Sequence, residues 1–251
     1  MMENQDTIVS SGNVNPTIRS VSANQGVEWL VGGFRLFAKA PGPWLLAALA
    51  LIVGSAILSR IWFGSALSTA FGVAFTGVMM RACLSLENGQ EFATHVKETA
   101  SSTQLWILGA IGAGLTLGMM IVLAVIGVGA FGFSMMGAHG AGGMLGFGML
   151  AMLFMLAMIV VLSAALWLAP ALVVLGGVNP VDAVRLSLTA ALRNVGAFLL
   201  FTLLSLLGFF IAVLPMGLGL LVMFPVMMCA YYLAYKDIFA SSTEAVGYTA
   251  P

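Results

Sequence analysis

Residues 105–133 read LWILGAIGAGLTLGMMIVLAVIGVGAFGF, without one charged side chain. A helix needs about 20 apolar residues to cross the hydrocarbon core of a bilayer. This run is longer than that. In lipid a helix satisfies every backbone N–H and C=O within its own segment. The stretch is therefore a transmembrane helix, and it names the solvent of the whole chain. Of the 251 residues, 61% are hydrophobic and 7% are charged. Soluble domains carry about 25% charged residues, so most of this surface has to face lipid.

Outward from that run, five further hydrophobic runs follow the same logic. They cover 44–59, 64–86, 147–178, 196–214 and 220–235. The first is closed by Arg60 and the second by the turn pair Asn88–Gly89. The third and fourth flank a Gly-rich segment, 134–146, and both exceed a simple span. Such runs have to tilt, protrude or kink. Pro170 and Pro225 are the candidate kinks, because an internal proline removes a ladder donor and crowds the preceding turn. A short turn, 215–219, joins the fifth and sixth runs. The expected architecture is all-α: a polytopic bundle of six transmembrane helices in three hairpins over 22–239. The segments 1–21 and 240–251 are polar and are expected to be disordered cytoplasmic tails.

A short amphipathic segment precedes each hairpin. In the first, Ser22 and Gln25 match a capping box, and Val27, Leu30, Val31, Phe34 and Phe37 recur at helical spacing opposite Glu28, Arg35 and Lys39. In the second, Phe92 and Val96 oppose Glu91, His95 and Glu98. In the third, Asn179 has the chemistry of an N-cap, Pro180 of a first helical residue and Asp182 of a first-turn acid. There Val181, Val184, Leu188 and Leu192 form the apolar face. Such helices suit a membrane interface.

A shift of 154 residues places Glu28 on Asp182, Lys39 on Arg193, Gly42 on Gly196 and Trp44 on Phe198. The middle unit aligns Trp106 with Trp44 and Lys97 with Arg35 less closely. Three parallel repeats explain this. So does any series of hairpins with basic loops.

Orientation follows from basic residues, which favour the cytoplasmic side. Eight of the nine, namely Arg19, Arg35, Lys39, Arg81, Lys97, Arg185, Arg193 and Lys236, fall on one side of the expected topology. Arg60 alone falls on the other. Both chain ends are thus expected in the cytoplasm. Trp44, Tyr231, Tyr232, Tyr235 and Lys236 are the expected anchors at the inner interface. Arg81 is expected to snorkel there.

Helices in lipid approach closely where side chains are small. Gly64, Ser68, Gly72 and Thr76 make an i, i+4 series along the second run. Ala110, Gly114 and Gly118 repeat it on the third, and Ala50 and Gly54 on the first. These faces are expected to pack against neighbouring helices.

Chemistry-bearing motifs are sparse. The central parts of the last four runs hold no ionisable acid or base, which argues against a proton relay. Met135, Met136, His139 and Met144 fall in the expected outer loop. Thioether and imidazole suit Cu(I), so this loop is a candidate metal site; methionine as a filler of irregular gaps is the competing explanation. Cys83 and Cys229 form no CxxC pattern, and a disulfide framework is not expected. Glu87, Glu91 and Glu98 are expected on a solvated face. The sequence contains no recognisable phosphate-loop, zinc-protease or nucleophile-elbow motif in the right context. No cofactor and no nucleic-acid partner are expected.

Three segments carry a resemblance. They are GGFRLFAKAPGPW at 32–44, WLAPALVVLGGVNPVDAVRLSLTAALRN at 167–194 and PMGLGLLVMFPVMMCAYYLAYKDIF at 215–239. Together they resemble an uncharacterised family of bacterial six-span inner-membrane proteins, and more distantly the membrane domains joined to some glycerophosphodiester phosphodiesterases. The resemblance implies six spans in a bacterial inner membrane and brings no catalytic residue with it. The expected function is that of a non-enzymatic helper, scaffold or lipid-organising protein. Its partners would be membrane lipids, a second protein or further copies of the chain. Alternatives are a transporter or channel for a small or hydrophobic solute, and Cu(I) handling by the outer loop.

Overall fold

Helix α1 spans Gln25–Phe37 and leads into the first hairpin, α2 (Pro41–Leu58) and α3 (Gly64–Glu87). Helix α4 (Val96–Ala100) precedes α5 (Thr103–Met135) and α6 (Ala141–Trp167), which continues after a break as α7 (Ala169–Val174). Helix α8 (Pro180–Arg193) precedes α9 (Val195–Val213) and α10 (Leu220–Phe239). These elements belong to a computed structural model that describes residues 16–61, 64–135 and 141–239, without the side chains of 130–135 and 141–147. Among the described residues every regular element is a helix, and six spans are long and apolar enough to cross a membrane.

Burial runs against hydropathy. The α10 span has mean hydropathy 1.2 and is 61% buried, whereas the α5 span has 2.4 and is 6% buried. Lipid selects apolar side chains at the periphery. A central helix meets protein instead, and can carry polar groups that find partners there.

The three short helices close the bundle in cyclic order. Helix α4 packs on α3 of the first hairpin, α8 on α6 and α7 of the second, and α1 on α9 and α10 of the third. The shift of 154 residues relates the outer two units closely. It carries α2 onto α9 and α3 onto α10 to within about two residues at their ends, the usual uncertainty of helix limits. It also maps the buried face of α1 (Gly26, Trp29, Gly33, Leu36) onto Pro180, Ala183, Ser187 and Ala190, all buried in α8. The middle unit diverges: α4 has only 5 residues, and Trp106 is exposed where Trp44 is buried.

The apolar faces of α1 and α8 suit helices of interfacial type. Val27, Val31 and Phe34 of α1 and Val181 and Leu192 of α8 point outward. Both helices instead dock through small residues. A Cβ on Gly33 would sit 2.6 Å from the Val226 carbonyl oxygen and 3.1 Å from the Ala230 nitrogen. A Cβ on Gly26 would sit 2.7 Å from the Ala197 oxygen. Helix α1 therefore touches α10 and α9 backbone to backbone. The capping box is not formed: Asn24 precedes α1 without a side-chain cap bond, and the Gln25 amide donates to Asp237 instead. At α8 the Asn179 side chain accepts the Asp182 N–H at 3.0 Å, as a cap should.

Other expectations are overturned as well. Ala50, Ala110, Gly114 and Gly118 are not packing residues: Ala50, Ala110, Gly114 and Gly118 are exposed, and a Cβ on either glycine would meet nothing within 4 Å. Helix α5 turns its other edge to α3, where Gly109 and Gly112 lie over Ala70 and Val73. Of the α2–α3 residues, Gly64 sits against the Leu58 carbonyl and Gly54 against the Phe71 ring, and the Ser68 hydroxyl donates to the Ser55 oxygen at 3.4 Å. Three of the five expected interface anchors are internal. Trp44, Tyr232 and Tyr235 are buried, and Trp44 meets Phe92 edge to face.

Pro170 does accompany a break, between Trp167 and Ala169, but Pro225 lies inside α10 without interrupting it. At the break the Ser187 hydroxyl enters the helix ladder. It accepts the Leu168 N–H at 2.9 Å and donates to the Ala164 oxygen at 2.8 Å. Those two groups would bond each other in an unbroken helix.

Candidate functional site

A cavity of about 510 Å³ lies between α3, α6, α9 and α10. Such volumes fall within the range of about 300–1,000 Å³ typical of small-molecule pockets. Thr69, Gly72, Val73 and Thr76 of α3 form one wall, and Phe198, Phe201, Thr202 and Ser205 of α9 the facing one. Ser163, Trp167 and Pro170 contribute from α6 and α7, and Met227 and Tyr231 from α10. Gly72 is here a wall residue: the space its missing side chain leaves is empty to 4 Å.

The lining carries hydroxyls but no Asp, Glu, Lys, Arg, His or Cys. Each alcohol donates to its own helix. Thr76 bonds the Gly72 oxygen at 2.8 Å, Thr202 the Phe198 oxygen at 2.7 Å and Ser205 the Phe201 oxygen at 2.7 Å. With its proton engaged, each oxygen presents only lone pairs. The aromatic wall is locked by ring contacts. Trp167 lies 5.0 Å from Phe198, and Phe201 lies 5.9 Å from Trp29 and 5.8 Å from Tyr231. The Trp167 indole N–H is buried without a protein partner. Such a site can hold an apolar molecule.

Around the α1–α10 contact lies a polar cluster. Asp237 accepts from the Trp29 indole and the Gln25 amide, both at 2.7 Å. Asn194, buried at the α8–α9 corner, accepts the Val21 N–H at 2.7 Å and donates to the Arg19 oxygen at 3.0 Å. The Arg19 N–H in turn reaches the Ile238 oxygen at 2.9 Å. Residues 19–21, assigned from sequence to a disordered tail, are thus pinned to the bundle, while 1–15 and 240–251 lie outside the described residues. Glu87 lies on the exposed face expected of it and is also paired: the Tyr232 hydroxyl donates to one oxygen and the Lys236 ammonium to the other. Lys236 thereby joins α10 to α3.

Met136 and His139 of the candidate copper loop lie outside the described residues, as do the side chains of Met135 and Met144. The described residues hold no cluster of His, Cys, Asp or Glu fit for a metal. Cys83 and Cys229, distant in sequence, meet in the core with sulfurs 3.8 Å apart. Sequence patterning missed the cavity. Its available signal was the recurrence of Ser and Thr beside aromatics on the spans, as at Phe198, Phe201, Thr202 and Ser205.

Six apolar spans, of which α10 is the most buried, define a multi-pass helical membrane protein. Comparison with protein-family models, curated proteins and solved structures gives no match.

Proposed function

We propose that the protein is a non-enzymatic, lipid-organising component of a bacterial inner membrane, with both ends in the cytoplasm, and that its bundle seats an apolar lipid chain in the cavity. The observation that carries this reading is the lining: aromatic, uncharged, and with its Ser and Thr hydroxyl protons engaged within the protein. A hydrocarbon chain fits such a wall. The bias of eight basic residues to one side supports the orientation. The resemblance to six-span bacterial proteins supports the membrane assigned. Passage of a hydrophobic solute is the second reading, favoured by the α6–α7 break beside Pro170 in the cavity wall. Against it, Ser187 already occupies the two backbone groups the break releases.

Native mass spectrometry of the full chain, released from its own membranes without lipid stripping, tests the proposal. A stoichiometric lipid mass is expected, reduced in Gly72→Leu, whose side chain enters empty space. A lipid-free wild-type protein, or equal retention by a folded Gly72→Leu variant, contradicts it. A second polypeptide in the spectrum would favour a scaffold role instead.

A further inference from the structure

Arg81 sits in the last third of α3 with its side chain partly buried. It does not snorkel freely: its Nη2 donates to the Val174 carbonyl at 3.0 Å, at the C-terminal end of α7. Its Nε is buried and unpartnered. Among the described residues the ion pairs are His95–Glu98, Arg185–Asp182 and Lys236–Glu87. None involves Arg81. Arg19, Arg35, Lys39, Arg60, Lys97 and Arg193 also lack a carboxylate within ion-pair distance, but all of them are exposed. A charge held partly out of water near the end of a span is costly unless an opposite charge meets it.

Beside Arg81 lies a pocket of about 450 Å³, walled by His95, Glu98, Thr99, Ser102, Val173 and Val174. The Thr99 hydroxyl is engaged with the His95 oxygen at 2.8 Å. The Glu98 carboxylate on the rim is held by the His95 ring at 2.8 Å. Ser102 directly precedes α5, whose first turn leaves backbone N–H groups free and carries the positive end of a helix dipole. We propose that this pocket binds a phosphate group as the counter-charge of Arg81, with the guanidinium and the Ser102 hydroxyl as its side-chain donors. A guanidinium fork matches phosphate oxygens. The group belongs either to a phospholipid headgroup or to a soluble phosphate.

This site is separate from the apolar cavity and stands or falls on different residues. The test uses the full chain in nanodiscs of a neutral galactolipid, which carries no phosphate. Binding is followed by thermal shift and native mass on titration with inorganic phosphate, against chloride at matched ionic strength, and on exchange into nanodiscs containing phosphatidic acid. A saturable response to the anionic lipid alone identifies a headgroup; a saturable response to inorganic phosphate identifies a soluble phosphate. Arg81→Gln, shown folded by circular dichroism, should weaken either by roughly tenfold or more, with Arg81→Lys and Ser102→Ala intermediate. A wild-type protein that responds saturably to neither overturns the proposal without recourse to variants. So does an undiminished response in folded Arg81→Gln.

Discussion

The indole N–H of Trp29 donates to Asp237 Oδ2 at 2.7 Å, across more than two hundred residues of chain, and joins α1 to the last turn of α10. The same oxygen accepts from Gln25. Replacing Asp237 by alanine strands both donors in a partly buried place, at about 1–3 kcal/mol. Asp237→Asn keeps an acceptor oxygen and should recover most of the loss. Thermal unfolding in detergent checks this; equal stability of Asp237→Ala and wild type would mean that the contact contributes nothing.

Ser187→Ala should destabilise by a similar amount, about 1–3 kcal/mol, because it orphans the Leu168 N–H and the Ala164 carbonyl together. Thr189, two residues on, is exposed and bonds only its own helix at the Arg185 oxygen. Thr189→Ala should stay within about 0.5 kcal/mol. A side-by-side melt of the two variants separates the roles, and similar losses would remove the bridging role assigned to Ser187.

Glycines of equal appearance should respond with opposite sign. At Gly33 an added methyl meets the Val226 carbonyl at 2.6 Å, so Gly33→Ala should cost about 1–3 kcal/mol as α1 is pushed from α10. At Gly114 the space is open, and Gly114→Ala should be neutral or stabilise by up to about 1 kcal/mol. The same detergent melts decide it; a destabilised Gly114→Ala would restore that residue to a packing face.

Cys83 and Cys229 are both fully buried. Buried thiols in apolar surroundings are inert. Neither should react with a maleimide in intact membranes, and both should react after denaturation in SDS. Mass spectrometry counts the adducts. Labelling of the folded protein would place one of the thiols at an accessible surface.

The spans were legible because lipid imposes a one-dimensional rule: about 20 apolar residues in succession. The cap at Asn179 was legible because it is local. Faces were not. Val27, Val31 and Phe34 carry the helical period of an interfacial face, and that period does not say which residues of α1 dock on the bundle. In water an apolar face points inward, but beside a bilayer it can be the outer one. Gly114 and Gly118 failed for the same reason, since small residues permit close approach without requiring it. Tyr232 and Tyr235 resembled interface anchors only because hydropathy does not tell a central helix from a peripheral one.

The sequence by itself determined the lipid solvent, the six spans, the three short helices and the residue shift that relates the outer units. Each depends on the composition or spacing of neighbouring residues. Only the tertiary structure decided that α1 closes the bundle against α10, that Gly72 faces a cavity, and that Arg81 lacks a carboxylate among the described residues. Those facts depend on which helices meet. In a medium where apolar contact alone distinguishes few partners, that choice rests on scattered groups such as Asp237, Ser187 and Gly33, whose partners lie far along the chain.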